Sequence, residues 1–166
     1  MRDLVAAILA LALLLAALSM ATALRAYRGR RQRALDSERA LGRRIIVELP
    51  AADDLVLFSE DDVRFYYGEQ SIDKDLVAAA RVLINGTPIA AVVSARHPRE
   101  ADRQPTSFED RPDGIARDRW DVAIEGVTGT ILVECGAIRE RVSQELARTV
   151  FDAVKRDIEH RNARGA

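Results

Sequence analysis

The chain opens on a long apolar run. From Leu4 to Leu24 (LVAAILALALLLAALSMATAL) there is no charge, no proline and no glycine. At about 1.5 Å rise per residue, a helix of this length covers roughly 30 Å, the thickness of a bilayer's hydrocarbon core. Alanine and leucine are also strong helix formers. The pattern predicts a single-pass membrane anchor over residues 1–24. Ser19-Met20-Ala21 and Ala21-Thr22-Ala23 have the small-x-small form of a signal-peptide cleavage site. The run is longer, however, than the roughly 7–15 apolar residues of a cleaved leader, and Asp3 offsets Arg2 ahead of it. An uncleaved anchor is the expectation.

Past Arg44 the pattern shortens to strand-like runs. Ile45–Leu49 is rich in β-branched residues and stops at Pro50, and Leu55–Ser59 is a short apolar run. Val63–Tyr67 alternates, which puts Val63, Phe65 and Tyr67 on one face, and Glu60, Asp61 and Asp62 suit the hairpin before it. Asn85-Gly86 is the strongest turn signal, because a type I′ hairpin needs positive φ at both central residues. Arg81–Ile84 and Pro88–Val93 pair across it, while Ala78-Ala79-Ala80 would also suit a helical turn. Trp120–Ile124 and Thr130–Glu134 form a second hairpin around Gly126-Val127-Thr128-Gly129, and Gly136 is expected to end the strand.

Between these hairpins, residues 95–119 are polar, carry three prolines and show no period, which predicts a long loop with a short helical turn near Phe108 or Ile115. From Ala137 to Asn162 apolar residues recur every fourth position: Ile138, Val142, Leu146, Val150, Val154 and Ile158, widened by Ala147 and Phe151. Arg139, Glu140, Arg141, Glu145 and Arg148 fall outside that stripe, as on an amphipathic helix. Strands before helix, without βαβ alternation, define an α+β chain. The expected architecture is an N-terminal transmembrane helix, a small antiparallel sheet domain of about five to seven strands over 45–166, and one long C-terminal amphipathic helix packed on the sheet.

Charge sharpens the picture of the region between anchor and domain. Residues 1–44 hold nine arginines against three acids, a balance of +6, so with a net charge of −1 the remainder carries −7. Arg25, Arg28, Arg30, Arg31 and Arg33 crowd the carboxyl side of the apolar run. The positive-inside rule then places the domain in the cytoplasm, with residues 25–44 as a basic juxtamembrane linker lying over anionic headgroups. Helix and flexible linker both suit this stretch, with Gly42 a natural helix end. A nucleic-acid arm would have a similar composition, but the acidic domain that follows would repel phosphates. Heavy Ala and Arg use fits a GC-rich bacterial genome, and the expected address is the inner, cytoplasmic membrane.

Candidate chemistry is sparse. Cys135, the single cysteine, falls between a strand and the expected helix start, where a helix N-terminus would lower a thiol pKa. A Cys–His pair would require His97, in the polar loop, to meet it; Cys135-Gly136-x-x-Arg139 lacks the glycine of a phosphatase loop. His160 stands near the end of the last helix. Both histidines and Cys135 are more simply a pair of solvated side chains and a small core residue. Asp53, Asp54, Glu60, Asp61 and Asp62 resemble a metal site in composition, without the spacing of a calcium loop, and solvated turn residues are the simpler reading. Asp73 and Asp75 belong with them. No phosphate-cradling glycine loop is present, and Phe65, Tyr66 and Tyr67 lack the basic neighbours of an RNA-binding sheet. Small residues four apart (Ala6 and Ala10, Ala12 and Ala16, Ala17 and Ala21) permit self-association of the anchor.

These observations give an expectation: a membrane-tethered, non-enzymatic interaction or scaffold domain on the cytoplasmic face. Its partners would be the bilayer, through residues 4–24, and a protein meeting the 95–119 loop and an exposed sheet face. No cofactor, metal or nucleic acid is expected. Two alternatives remain open: an extracytoplasmic binding domain on an uncleaved signal anchor, and a thiol enzyme using Cys135 with His97 or Arg139.

Overall fold

A computed structural model describes residues 2–50, 55–97, 119–137 and 139–165. The chain divides into two compact units, residues 1–41 and 42–166.

The first unit is one helix, α1 (Arg2–Ala40). It carries the apolar run directly into the basic stretch, so residues 25–40 are helical rather than a loose linker. Leu41 N donates to Ser37 O at 3.2 Å, and Gly42 follows at φ +73°, a left-handed end that a glycine adopts at low cost.

The second unit is α+β. Among the described residues its strands are β1 (Arg44–Pro50), β2 (Leu55–Glu60), β3 (Arg64–Tyr67), β4 (Gln70–Asp73), β5 (Val77–Ile84), β6 (Thr87–Val93), β7 (Arg119–Gly126) and β8 (Thr130–Ala137). They form two four-stranded antiparallel sheets, ordered β1-β2-β3-β4 and β6-β5-β7-β8. A 3-10 turn at Lys74–Leu76 joins them, and α2 (Arg141–Gly165) closes the chain. The expected single sheet is thus two, and β4 is the strand that its short, polar sequence concealed.

One core serves both sheets and α2. Phe58 and Phe65 stack with ring centroids 5.8 Å apart, beside Leu49 and Ile72 from the first sheet. Val122, Ile124, Val133 and Cys135 come from the second sheet, and Ala147, Val150, Val154 and Ile158 from α2. Each fully buried aliphatic or aromatic side chain contributes about 1.5–3 kcal/mol. α2 starts at Arg141 rather than Ala137, which rotates the expected stripe out of use at its first turn: Val142 is 62% exposed and Ser143 is buried instead. Ile138 lies outside the described residues, as do Phe108, Ile115 and nearly all of the 95–119 loop.

Two turns follow the sequence closely. Asn85 (φ 52°) and Gly86 (φ 76°) make the β5–β6 turn, and Gly126 N donates to Gly129 O at 2.8 Å in the β7–β8 turn. Gly136, by contrast, does not end its strand. It sits inside β8 at φ +108°, opposite a register shift, and a Cβ there would lie 2.6 Å from Ser143 Oγ. The missing side chain lets the first turn of α2 pack against β8.

β6 is an edge strand with apolar side chains in solvent: Ile89 is 54% and Val93 45% exposed. Its edge is nevertheless guarded. The bond from Ser94 N to Ala78 O sets a parity that turns the amides of Val93 and Ala91 outward. Asn162 of α2 donates from Nδ2 to Val93 O (3.3 Å) and accepts from Ala95 N at Oδ1 (2.9 Å). A register shift between Val82 and Leu83 bulges the strand near Ile89, and Pro88 beside it has no N–H to offer.

Gly136→Ala should destabilise the domain by more than about 1 kcal/mol, through both its positive φ and the Ser143 contact. A lowered denaturant midpoint at unchanged slope is the expected result.

Candidate functional site

The chemistry-bearing residues gather in a cleft of about 420 Å³ in the second unit. Its floor and walls include Arg44, Glu60, Asp62, Lys74, Asp157 and His160. β2 delivers Glu60 at its last position, the 3-10 turn delivers Lys74, and α2 presents Asp157 and His160 about one turn apart.

Glu60 is not the solvated turn residue its setting suggested: it is 6% exposed. Lys74 Nζ donates to its Oε2 at 2.9 Å, and Arg44 Nε donates to its Oε1 at 3.0 Å. Burial would raise the Glu60 carboxyl, but the bonds from Arg44 and Lys74 outweigh it and hold the group below the ordinary carboxylate value. Lys74 is itself 7% exposed, with Asp157 Oδ1 at 3.7 Å and the Phe65 ring centroid at 4.7 Å. The charges then run on along α2. Arg161 Nε donates to Asp157 Oδ2 at 2.8 Å, Arg161 also pairs with Asp75, and Arg96 reaches Asp75 at 3.0 Å. Opposite charges alternate along this seam, so they hold elements together more than they select one sign of ligand.

The acidic turn is structural too. Asp61 Oδ1 accepts from Val63 N (2.7 Å) and Arg64 N (2.6 Å), and Tyr66 donates its hydroxyl hydrogen to Oδ2 (2.7 Å). The Tyr66 bond, with the two backbone bonds, pulls the Asp61 carboxyl down. Arg43 lies 3.6 Å over the Tyr66 ring. Asp73 caps the 3-10 turn by accepting from Asp75 N. Among the described residues no three His, Cys, Asp or Glu side chains gather to hold a metal ion; Asp53 and Asp54 lie outside those residues.

Cys135 and His97 are not brought together. Cys135 is fully buried in the core, inside β8 and ahead of the start of α2 at Arg141. Burial, and secondarily the charge of Asp121, push its thiol up to about 12, the reverse of what a nucleophile needs. His97 stands beside the 3-10 turn, with Nε2 2.8 Å from Asp75 O, which fixes that nitrogen as the protonated donor. Asp121 is buried as well, accepting from Arg119 Nε at 2.9 Å, and burial raises its carboxyl. His160 is an exposed residue at the cleft rim, and Arg139 is exposed.

A second cleft of about 500 Å³ lies between β4 and the β7–β8 turn, with Ser71, Thr128 and Thr130 on its walls over Ile72, Leu76 and Ile131. In the first unit, Arg25, Arg28, Arg30, Arg31 and Arg33 are all exposed on α1. Among the described residues α1 is the one helix long and apolar enough to cross a membrane.

Sequence reasoning missed the Glu60–Lys74 pair. The available signal was Lys74 itself, one of two lysines in a chain of arginines.

No family model matches the chain, and no curated protein or solved structure matches it.

Two outcomes are expected. Glu60→Gln should cost about 3–5 kcal/mol at neutral pH by leaving Lys74 buried with a weaker partner, and Glu60→Gln/Lys74→Met should recover part of that loss. Because the folded Glu60 carboxyl is depressed, its contribution is fully present above the unfolded value of about 4.3 and is lost as pH falls through the folded one. Denaturant melts should therefore show Glu60→Gln losing less additional stability on acidification than the parent chain. Separately, a thiol reagent at neutral pH should modify Cys135 only at the rate of domain opening, with a large acceleration in denaturant. Rapid stoichiometric labelling of the folded chain would contradict its burial.

Proposed function

We propose that this chain is a membrane-tethered interaction domain: residues 4–24 cross the bilayer, and the 42–166 unit works on its cytoplasmic face by contact rather than catalysis. One observation carries the reading. α1 passes without a break from an uncharged apolar run into five exposed arginines. That is the sequence of environments a spanning helix meets on leaving hydrocarbon for a headgroup layer. The arginine excess on its carboxyl side supports the cytoplasmic side for the domain. Tethering serves binding by mass action, since confinement raises the local concentration of the domain toward other membrane components.

The ionisable groups of the domain favour the same reading. Glu60, Lys74, Asp157, Arg161 and Asp75 neutralise one another within the fold, and the thiol alternative loses its support at Cys135.

The test is topological. A single cysteine in place of Arg148, an exposed α2 position, in a Cys135→Ser background should be protected from a membrane-impermeant maleimide in intact spheroplasts and labelled after lysis. Labelling before lysis would transfer the domain to the outer face and overturn the cytoplasmic assignment. Recovery of the chain in the soluble fraction would overturn the tether itself.

A further inference from the structure

The arginines of α1 do not share a face. Counting about 100° per residue from Arg25, Arg33 projects at about 80°, Arg30 at about 140°, Arg31 at about 240° and Arg28 at about 300°. The widest empty sector is then about 100°, and Tyr27, at about 200°, stands in it with its side chain exposed. The six residues close a ring around the helix. The nearest acids lie above it, at Asp36 and Glu38, where Gln32 Nε2 donates to Asp36 Oδ1 (3.0 Å) and Arg39 pairs with Asp36 (3.7 Å).

Ring and stripe have different uses. A helix lying in the membrane plane, or an arm following a nucleic-acid backbone, meets its anions from one side and gathers cations there. A helix that crosses the headgroup layer steeply meets lipid phosphates from every direction. Tyrosine is at home at that level, with an apolar ring toward the acyl chains and a hydroxyl toward water. Arg25 to Arg33 covers about 12 Å of helix axis, against roughly 5–8 Å for one headgroup layer; long arginine stems that bend toward the polar layer make up the difference.

We propose that Arg25, Tyr27, Arg28, Arg30, Arg31 and Arg33 form a collar that binds anionic phospholipid headgroups around the whole circumference of α1. The collar rests on the membrane-tether reading and specifies its ligand: the phosphate of a lipid, held by guanidinium groups that bond it in a bidentate manner. Its position also sets the depth of the helix.

Native mass spectrometry of the detergent-solubilised full chain, titrated with phosphatidylglycerol or phosphatidylcholine, tests this. Phosphatidylglycerol should be retained in preference. Arg28→Gln/Arg31→Gln and Arg30→Gln/Arg33→Gln neutralise opposite sides of the ring. Each pair should weaken retention by at least about tenfold and to similar extents, at about fivefold per charge. Glutamine keeps the helix propensity of arginine, so α1 persists in both variants. Inorganic phosphate and a duplex oligonucleotide should not displace the lipid. A loss confined to one pair would make the arginines a stripe; equal retention of the two lipids would remove the ligand; displacement by the oligonucleotide would make the segment a nucleic-acid arm. Each of these overturns the collar. None depends on which side labels at Arg148, so an outward-facing domain would sink the cytoplasmic reading and leave the collar standing.

Discussion

The Lys74 ammonium is the contact on which the domain's assembly depends. It touches three elements, the neighbouring strands β2 and β3 through Glu60 and Phe65 and the distant α2 through Asp157. A buried charge without partners costs several kcal/mol, so the sheet, the 3-10 turn and the helix must arrive together or not at all. The apolar core rewards almost any compact arrangement of Phe58, Val122 and Val154. The charged seam rewards only the arrangement in which α2 runs past the end of β2 at the correct height, because Asp157 and Arg161 sit one turn apart and must meet Lys74 and Asp75 in order.

What the sequence made visible was whatever depends on near neighbours. Asn85-Gly86 needs positive φ at two adjacent residues. Val150, Val154 and Ile158 repeat with the helical period. The run from Leu4 to Leu24 is uncharged throughout. What stayed hidden was decided between distant segments. β4 is four polar-leaning residues that become a strand because β3 offers them a ladder. Val142 fits the stripe in sequence yet lies in solvent, since α2 starts later and Gly136 admits Ser143 in its place. Glu60 reads as one acid in a run of three until Arg44 and Lys74 are placed around it. The candidate site was hardest to read for the same reason: its residues come from β1, β2, the 3-10 turn and α2, and no local spacing links them.

The fate of Cys135 shows how position alone decides reactivity. At a helix N-terminus the same thiol would be an activated nucleophile. Here β8 continues past it to Ala137, the helix begins at Arg141, and the sulfur faces Val133 O at 3.6 Å inside the core. A four-residue shift in a helix start is enough to separate a reactive cysteine from a packing residue.

Asn162 has a consequence that extends beyond a single molecule. Its carboxamide occupies the place a neighbouring strand would take along β6, donating to one outward backbone group and accepting from another. An exposed apolar sheet margin is a template on which another molecule's strand can pair and grow. Because the blocking group comes from α2, the margin is closed only once that helix has docked. Crowding is thus tolerated by the finished fold, and the interval of vulnerability is confined to the time between formation of β6 and docking of α2.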